Sequence, residues 1–145
     1  MTDHIVLDNP IWVGRIVGEH RSSMVVDAIK KRCDAVVVTD EITESYLRTL
    51  QMHYRGVPQY LSIHLLTELH VLHKVETPSQ EGPEIEDVHR KDKHLIRAAR
   101  HFKGIVVTTD NNDLLSKRIA IEQHYGVRIL TPEQYVNLSL SQKVV

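Results

Sequence analysis

The side chains best suited to chemistry in this chain are carboxylates that follow short apolar runs. After Gly104, a run of Ile and Val leads to Thr108, Thr109 and Asp110, and Asp113 follows three positions later. A short apolar run between glycine and polar residues predicts a strand that is buried on both faces. Asp110 is then expected just past the carboxyl end of that strand, where open α/β sheets bind their ligands. Asp113 is expected in the first turn of the next helix, facing the same crevice.

Other carboxylates occupy equivalent places along the chain. Residues 5–7 are apolar and end in Asp8, with Asn9 next. Residues 35–38 are apolar and lead into a predicted helix that carries two glutamates, and a later predicted helix begins with an aspartate. These further acids are Asp8, Asp92, Glu41 and Glu44.

Acids gathered at one crevice repel one another unless a cation neutralises them. Two unit charges about 4 Å apart cost roughly 4 kcal/mol at an effective dielectric constant near 20. Oxygen ligands favour hard divalent cations, so we expect Mg²⁺ or Mn²⁺ at such a site. A bound ion of this kind activates water and braces the oxygens of a phosphodiester for displacement, which suits a polyanionic substrate.

Each acid also has a purely structural explanation. Asp8 before Asn9 and Pro10 can form a turn, and Asp92 can stabilise the first turn of its helix through the helix dipole. Asp110 can be a turn residue or a helix cap, and the two helix glutamates can lie on a solvated face. A functional site is therefore predicted only if the fold brings these acids together.

Alternating strand and helix patterns determine where the acids are placed. Strands are predicted at residues 4–8, 35–38, 105–107 and 127–130, with a further extended piece at 75–76. Helices are predicted at residues 11–17, from Ser22 or Ser23 to 32, and at 40–52, 58–73, 92–102 and 111–125, with a short last helix after a capping box at 131–134. Residues 77–87 are predicted to be a long surface loop.

Helical spacing also predicts which residues of three helices face the core. They are Met24, Val25, Ala28 and Ile29 in the second helix, Ile42, Tyr46 and Leu50 in the third, and Leu61, Leu65, Leu69 and Leu72 in the fourth.

The order of these elements predicts one three-layer α/β/α domain over residues 1–145, around a mostly parallel sheet of about four or five strands. Right-handed crossovers would bring the carboxyl ends of the strands, and hence the acids, to one end of the sheet.

Composition narrows the class of protein. The 145 residues are 41% hydrophobic, which is enough for one core. The single cysteine, Cys33, excludes an intramolecular disulfide or a cysteine-cluster zinc site and predicts a reducing compartment. No apolar stretch approaches the roughly 20 residues of a membrane span, and the first residues lack signal-peptide character, so we expect a cytoplasmic protein without a membrane partner.

The net charge is −1 and the pI about 6.8, so the chain lacks an overall basic footprint for nucleic acid. Binding a polyanion would require metal ions held by acids, or basic groups close to the crevice. The candidates for phosphate contacts are Arg15, Arg90, Lys91 and Lys93.

Four segments of the chain together follow the pattern of a known family. They are the strand ending in Asp8, the acid-bearing helix after residues 36–38, the run from Asp92 to Ala98 and Ala99, and Val106-Val107-Thr108-Thr109-Asp110 with Asp113-Leu114-Leu115. This pattern resembles PIN-domain proteins, in particular the small single-domain group of toxin components of toxin–antitoxin pairs. The resemblance covers residues 5–138.

Members of that family are typically Mg²⁺- or Mn²⁺-dependent ribonucleases, and the resemblance implies an endoribonuclease here. It implies three main metal ligands, which are Asp8, Asp92 and Asp110. It also implies supporting residues, with Asn9 and either Thr108 or Thr109 beside the metal ligands and either Glu44 or Asp113 orienting the attacking water. The implied partners are an RNA substrate, a protein antitoxin and a second copy of the chain.

Two positions depart from the family pattern. The family's asparagine two residues after the first aspartate is Pro10 here, and Asn9 stands one place earlier. The family's helix glutamate falls at Ser45. Glu44 is its neighbour in sequence, whereas Glu41 lies closer to it around the helix, about 40° away against about 100°. Both glutamates remain candidates for the helix acid.

These departures motivate an alternative function, a domain of the same fold that binds RNA or a protein without catalysis. A phospho-acceptor receiver domain is disfavoured, because that class needs adjacent acids early in the chain and a lysine after a late strand. This sequence has neither.

Overall fold

Among the residues that the structure describes, five parallel strands form one sheet in the spatial order β3-β2-β1-β4-β5. The structure is a computed structural model that describes residues 3–58, 60–73, 92–109 and 113–141. The strands are β1 (His4–Leu7), β2 (Ala35–Val38), β3 (His70–His73), β4 (Ile105–Val107) and β5 (Arg128–Leu130). The predicted α/β class with a mostly parallel sheet is confirmed.

Helices connect the strands and pack around the sheet. They are α1 (Asn9–Val17), α2 (His20–Arg32), α3 (Asp40–His53), α4 (Tyr60–Glu68), α5 (Lys93–Arg100), α6 (Arg118–Tyr125) and α7 (Pro132–Ser141). In the described part of the chain, none of them is long and apolar enough to cross a membrane.

The central strand β1 lies between β2 and β4, and the three strands are buried along almost their whole length. Continuous runs of Val and Ile, rather than alternation with polar residues, are expected for strands covered on both faces. A Cβ on Gly104 would lie 2.4 Å from the carbonyl oxygen of His4. Glycine is therefore required where β4 starts beside β1.

The predicted helix over residues 58–73 is wrong in its last five residues. Helix α4 ends at Glu68, and His70–His73 form β3, which pairs with β2 in the register Ala35↔His70 to Val38↔His73. Leu65 and Leu69 are buried as predicted, whereas Leu72 belongs to the strand and is half-buried. Pairing with the backbone of β2 outweighs the helical spacing of the leucines, because it satisfies the main-chain groups along that side of β2.

Helix α2 begins earlier than predicted, and its cap is an acid rather than a serine. The Glu19 carboxylate accepts hydrogen bonds from the backbone N–H groups of Arg21 and Ser22 and from the Ser22 hydroxyl. These hydrogen bonds, led by the one from the Ser22 hydroxyl, lower the pKa of Glu19. Met24 is 41% exposed, so its predicted place in the core is wrong. Val25, Ala28 and Ile29 are buried as predicted.

The segment after β4 is less helical than predicted. The regular helix α6 starts at Arg118 rather than at residue 111, after a 3₁₀ turn at Leu115–Lys117. Asp113 consequently lies in a turn and not in the first turn of a helix. Gly126 ends α6 in the left-handed conformation, as predicted. The predictions for residues 75–76, 77–87, 111 and 112 lie outside the described residues.

The capping box predicted at residues 131–134 is present. The backbone N–H of Thr131 donates to Gln134 Oε1 over 3.0 Å, and the backbone N–H of Gln134 donates to Thr131 Oγ1 over 3.1 Å. This reciprocal pair starts α7, which packs along α2.

A buried polar network joins α2, β2 and α7 at the end of the sheet where the strands begin. Arg32 Nε donates to Asp34 Oδ2 over 2.7 Å, and the Tyr135 hydroxyl donates to the same oxygen over 2.5 Å. Arg32 Nη2 also contacts Asp3 over 2.6 Å. Burial would by itself lower the pKa of the Arg32 guanidinium, but the contact with Asp34 and the nearby Tyr135 and Asp3 together raise that pKa.

Candidate functional site

The candidate site is built around Asp8, at the end of the sheet where the strands finish; we call this the carboxyl end of the sheet. Asp8 follows β1 directly, caps α1 and is 9% exposed. Its Oδ1 accepts a 2.7 Å hydrogen bond from the backbone N–H of Asn9, and its Oδ2 accepts a 2.6 Å bond from the Thr108 hydroxyl. Two donors thus fix the orientation of a nearly buried carboxylate.

Strand register explains why Asp8 and Thr108 meet. Leu7 pairs with Val107 across β1 and β4, so the residues that follow them, Asp8 and Thr108, lie side by side. The backbone N–H of Asp8 donates to the Val107 carbonyl over 3.0 Å, and that of Thr108 donates to the Leu130 carbonyl over 3.0 Å. Of the two threonines that the resemblance leaves open, Thr108 is the one that contacts Asp8, whereas Thr109 is half-buried beyond it.

Asp92 directly precedes α5, the helix that leads into β4 through a turn at residues 101–104. A helix of this length that packs antiparallel to the next strand, as is usual in parallel α/β sheets, would place Asp92 roughly 12 Å back toward the carboxyl end. Asp92 stands at the N-cap position, but its side chain makes no capping hydrogen bond.

The donors at this end of the sheet fit a hard divalent cation. Oxygen ligands are those that Mg²⁺ and Mn²⁺ prefer, and the Asp8 carboxylate and the Thr108 hydroxyl lie side by side at this end. Within the residues that the structure describes, no group of three His, Cys, Asp or Glu side chains is arranged to hold a metal ion. Asp110, the third predicted ligand, lies outside those residues.

The helix acids take different positions on α3. Both glutamates are exposed, and Glu41 Oε2 lies 3.7 Å from Arg97 Nη2 of α5. Ser45, at the family's acid position, is half-buried, and its carbonyl accepts the Thr49 hydroxyl over 3.1 Å.

Asn9, predicted as a supporting residue, points toward α3. Its Nδ2 donates to Thr49 Oγ1 over 2.9 Å, so the amide links the start of α1 to α3. A groove of about 560 Å³ opens beside it. The lining of this groove includes the exposed aromatic side chains of His53 and Tyr54.

Not every predicted basic group lies near Asp8. Arg15 pairs with Glu68 over 3.5 Å, two residues before β3 begins, so Arg15 is directed toward the opposite end of the sheet. This ion pair does not favour the predicted role of Arg15 in phosphate contact, which stays a prediction. Lys93 is the first residue of α5 and lies beside Asp92, whereas Arg90 and Lys91 are outside the described residues.

Sequence reasoning missed Arg97, although a signal for it was present. Arg97 follows Lys93 by four residues on α5, a spacing that places both side chains on one face of the helix. Its contact with Glu41 depends on the packing of α5 against α3, which the sequence pattern alone does not specify.

Comparison of the chain with protein-family models, curated proteins and solved structures found no significant match. The geometry around Asp8 and the motifs that resemble PIN-domain proteins are the features that indicate a function.

Proposed function

We propose that this protein is a divalent-metal-dependent endoribonuclease that hydrolyses RNA phosphodiester bonds in the manner of PIN-domain enzymes. The observation that carries the proposal is the Asp8 carboxylate, which is nine-tenths buried and oriented by Thr108 and Asn9 at the carboxyl end of a parallel sheet. Asp92, at the start of the helix that precedes β4, supports the proposal if α5 packs antiparallel to that strand. Open α/β sheets bind their ligands at this place.

Burial of a carboxylate is costly unless its charge is compensated. The hydrogen bonds from Thr108 and Asn9 supply part of the compensation. An ionised carboxylate has about four acceptor sites on its two oxygens, so it can also bind a cation. A Mg²⁺ or Mn²⁺ ion held there would neutralise the acids, polarise a phosphate and lower the pKa of a bound water.

In this proposal Asp8, Asp92 and Asp110 hold the ion. Either Glu44 or Asp113 orients the water, and Lys93, beside Asp92, positions a phosphate of the substrate. The groove beside Asn9 offers room for a nucleotide next to the reacting phosphate, and the aromatic side chains along it are suited to stacking on a base.

The test is cleavage of a labelled single-stranded RNA in Mn²⁺, with the wild-type protein compared with Asp8→Asn and Asp110→Asn. Asp27→Asn is the matched control, because Asp27 is an exposed aspartate on α2. We expect both site variants to fall to the level of protein in EDTA and the control to cleave as the wild type does. Equal cleavage by Asp8→Asn and wild type would overturn the proposal.

The motif resemblance extends the proposal to cellular role. We propose a cytoplasmic toxin that is restrained by a protein antitoxin and that forms a homodimer. Induced expression in a bacterial host should arrest growth, and Asp8→Asn should abolish the arrest. Light scattering on the purified protein should give the mass of two chains. Continued growth under wild-type expression would contradict the toxin role, and a monomer mass would contradict the dimer.

A second candidate function is a non-catalytic module of the same fold that binds RNA or protein. The observation that favours it is Ser45, which puts a hydroxyl where the family carries an acid and whose neighbour Glu44 is exposed. Calorimetry distinguishes the two candidates. RNA binding without heat from Mn²⁺ at millimolar concentration would favour the module, whereas Mn²⁺ binding that Asp8→Asn abolishes would favour the nuclease.

A further inference from the structure

Arg97 extends from α5 toward the carboxyl end of the sheet. Its Nη2 lies 3.7 Å from Glu41 Oε2. Glu41 belongs to the first turn of α3, which starts directly after β2. The guanidinium therefore lies close to the end of β2, next to the central strand that carries Asp8.

The contact between Arg97 and Glu41 is loose and partly solvated. The separation exceeds the usual length of a charge-assisted hydrogen bond. The Glu41 side chain is 51% exposed and the Arg97 side chain 30% exposed. Ion pairs of this kind contribute little to stability, so Glu41 itself holds Arg97 only weakly. A guanidinium is also the side chain best shaped to bind phosphate through two parallel hydrogen bonds.

Further basic side chains accompany Arg97 along α5. Lys93 and Arg100 stand four residues before it and three residues after it, so the three lie along one face of the helix. All three side chains are half-buried rather than fully extended into solvent. A ribose–phosphate backbone laid along this face would meet positive charge at successive turns, beginning beside Asp92.

We propose that Arg97 binds a phosphate of the RNA substrate next to the scissile bond, and that Glu41 is its counter-ion in the substrate-free protein rather than a metal ligand. This inference rests on the proposed function, whose substrate-binding residues it names. RNA replaces Glu41 on Arg97, and the released carboxylate turns to solvent.

A counter-ion role and a metal-ligand role for Glu41 predict opposite effects of Glu41→Gln. If Glu41 is a counter-ion, Glu41→Gln removes a competitor of the RNA phosphate, so RNA binding strengthens and cleavage persists. If Glu41 completes the metal site, the same substitution abolishes cleavage. Arg97→Lys keeps the charge but not the planar fork, so it should restore part of the binding that Arg97→Gln loses.

The experiment measures binding of a labelled single-stranded RNA in EDTA by fluorescence anisotropy over a series of salt concentrations. The proteins are wild type, Arg97→Gln, Arg97→Lys and Glu41→Gln, with Arg128→Gln as control. Arg128 is exposed at the start of β5, at the opposite end of the sheet. Circular dichroism melting confirms that each variant is folded.

We expect Arg97→Gln to weaken binding by roughly tenfold and to reduce the slope of log affinity against log salt by about 0.7, the value for one phosphate contact in a single strand. Glu41→Gln should bind more tightly than the wild type, and Arg128→Gln should match the wild type. An unchanged affinity and slope in Arg97→Gln, or loss of Mn²⁺-dependent cleavage in Glu41→Gln, would overturn the inference.

Failure of the inference and failure of the proposed function remain distinguishable. Binding is measured without metal, so the role of Arg97 is decided even if no variant cleaves RNA. Full cleavage by Asp8→Asn would overturn the proposed nuclease activity. Weak RNA binding by Arg97→Gln would support the phosphate contact even in that case. Inactive Asp8→Asn with normal binding by Arg97→Gln would overturn the contact alone.

Discussion

The Thr108 hydroxyl donates a 2.6 Å hydrogen bond to Asp8 Oδ2, and this bond joins residues that lie 100 positions apart in the chain. Thr108 is fully buried and Asp8 nearly so. The contact arises because β1 and β4 are neighbours and their last residues, Leu7 and Val107, are in register. It ties the candidate metal ligand to the strand that leads to the third predicted acid.

Replacing Thr108 by valine tests this contact directly, because valine has nearly the same shape but no hydroxyl. Because the buried Asp8 carboxylate loses a hydrogen-bond donor, the free energy of unfolding should fall by about 1–3 kcal/mol. Loss of a group that orients a metal ligand should lower Mn²⁺-dependent cleavage by roughly 10- to 100-fold. Urea unfolding and the RNA cleavage assay measure the two effects.

Thr108→Ser and Thr109→Val are the controls for that substitution. Serine keeps the hydroxyl and should retain most of the activity, and Thr109 is a half-buried neighbour outside the contact. A Thr108→Val protein that unfolds and cleaves as the wild type does would show that the hydrogen bond has no part in the site.

The only tryptophan of the chain should report metal binding. Trp12 is buried, its ring N–H donates to the Leu7 carbonyl over 3.1 Å, and its ring stacks on Tyr46. Its backbone N–H also contacts the Asp8 carbonyl over 3.4 Å. Binding of Mg²⁺ to Asp8 should therefore change the fluorescence emission of Trp12 until the site is saturated. Asp8→Asn should weaken the apparent affinity for Mg²⁺ by about tenfold or more.

Mg²⁺ is chosen for this titration because it does not itself quench tryptophan. Asp27→Asn is again the matched control and should titrate as the wild type does. A titration curve that is identical in Asp8→Asn and wild type would place the metal away from Asp8.

Gly104 offers a prediction about the fold alone. Its Cβ in an alanine variant would lie 2.4 Å from the His4 carbonyl oxygen, a main-chain atom that cannot move without disturbing the pairing of β1 with β4. Gly104→Ala should therefore lower the free energy of unfolding by about 1–3 kcal/mol. Gly56→Ala is the matched control, because a Cβ at Gly56 meets no atom within 4 Å. Equal urea midpoints for the two variants would contradict the close approach.

The sequence predicted the central part of this fold because local and long-range preferences agree there. The runs that form β1, β2 and β4 are too short and too continuously apolar to be amphipathic helices, and glycine or aspartate bounds them. Ile42, Tyr46 and Leu50 recur at helical spacing on α3, and all three are buried. Asp8 follows from the same logic, because it is the first polar residue after a buried strand.

The edge strand β3 could not be predicted in the same way. Leu65, Leu69 and Leu72 continue the spacing of a helix, so the local pattern gives no sign that α4 ends at Glu68. What fixes His70–His73 as a strand is main-chain pairing with β2, more than thirty residues earlier. The contact of Arg97 with Glu41 was hidden for a similar reason, since it depends on how two helices pack.

The buried hydroxyl of Tyr135 should make the free energy of unfolding fall at alkaline pH. Burial, together with the hydrogen bond to the Asp34 carboxylate, raises the pKa of Tyr135 far above its ordinary value. In the unfolded chain the tyrosine ionises near pH 10. Above that pH the unfolded state loses a proton that the folded state keeps. The contribution of Tyr135 to the free energy of unfolding, fully present below pH 10, should then fall by about 1.4 kcal/mol per pH unit.

Tyr135→Phe removes this dependence. At neutral pH the variant should be less stable than the wild type by about 1–3 kcal/mol, because Asp34 loses a hydrogen-bond donor. As the pH rises above about 10, the wild type should lose its advantage and the two unfolding curves should converge. Tyr46, whose pKa burial also raises, is present in both proteins, so its contribution cancels in the difference.

Urea unfolding from about pH 8 to 11 measures the difference. Tyr60→Phe is the control, because the Tyr60 side chain is 65% exposed and should show no such convergence with the wild type. A constant gap between wild type and Tyr135→Phe over this range would show that Tyr135 ionises equally easily in both states. The polar network of Arg32, Asp34 and Tyr135 would then not be closed to solvent, and the packing of α7 against α2 would be looser than the buried hydroxyl implies.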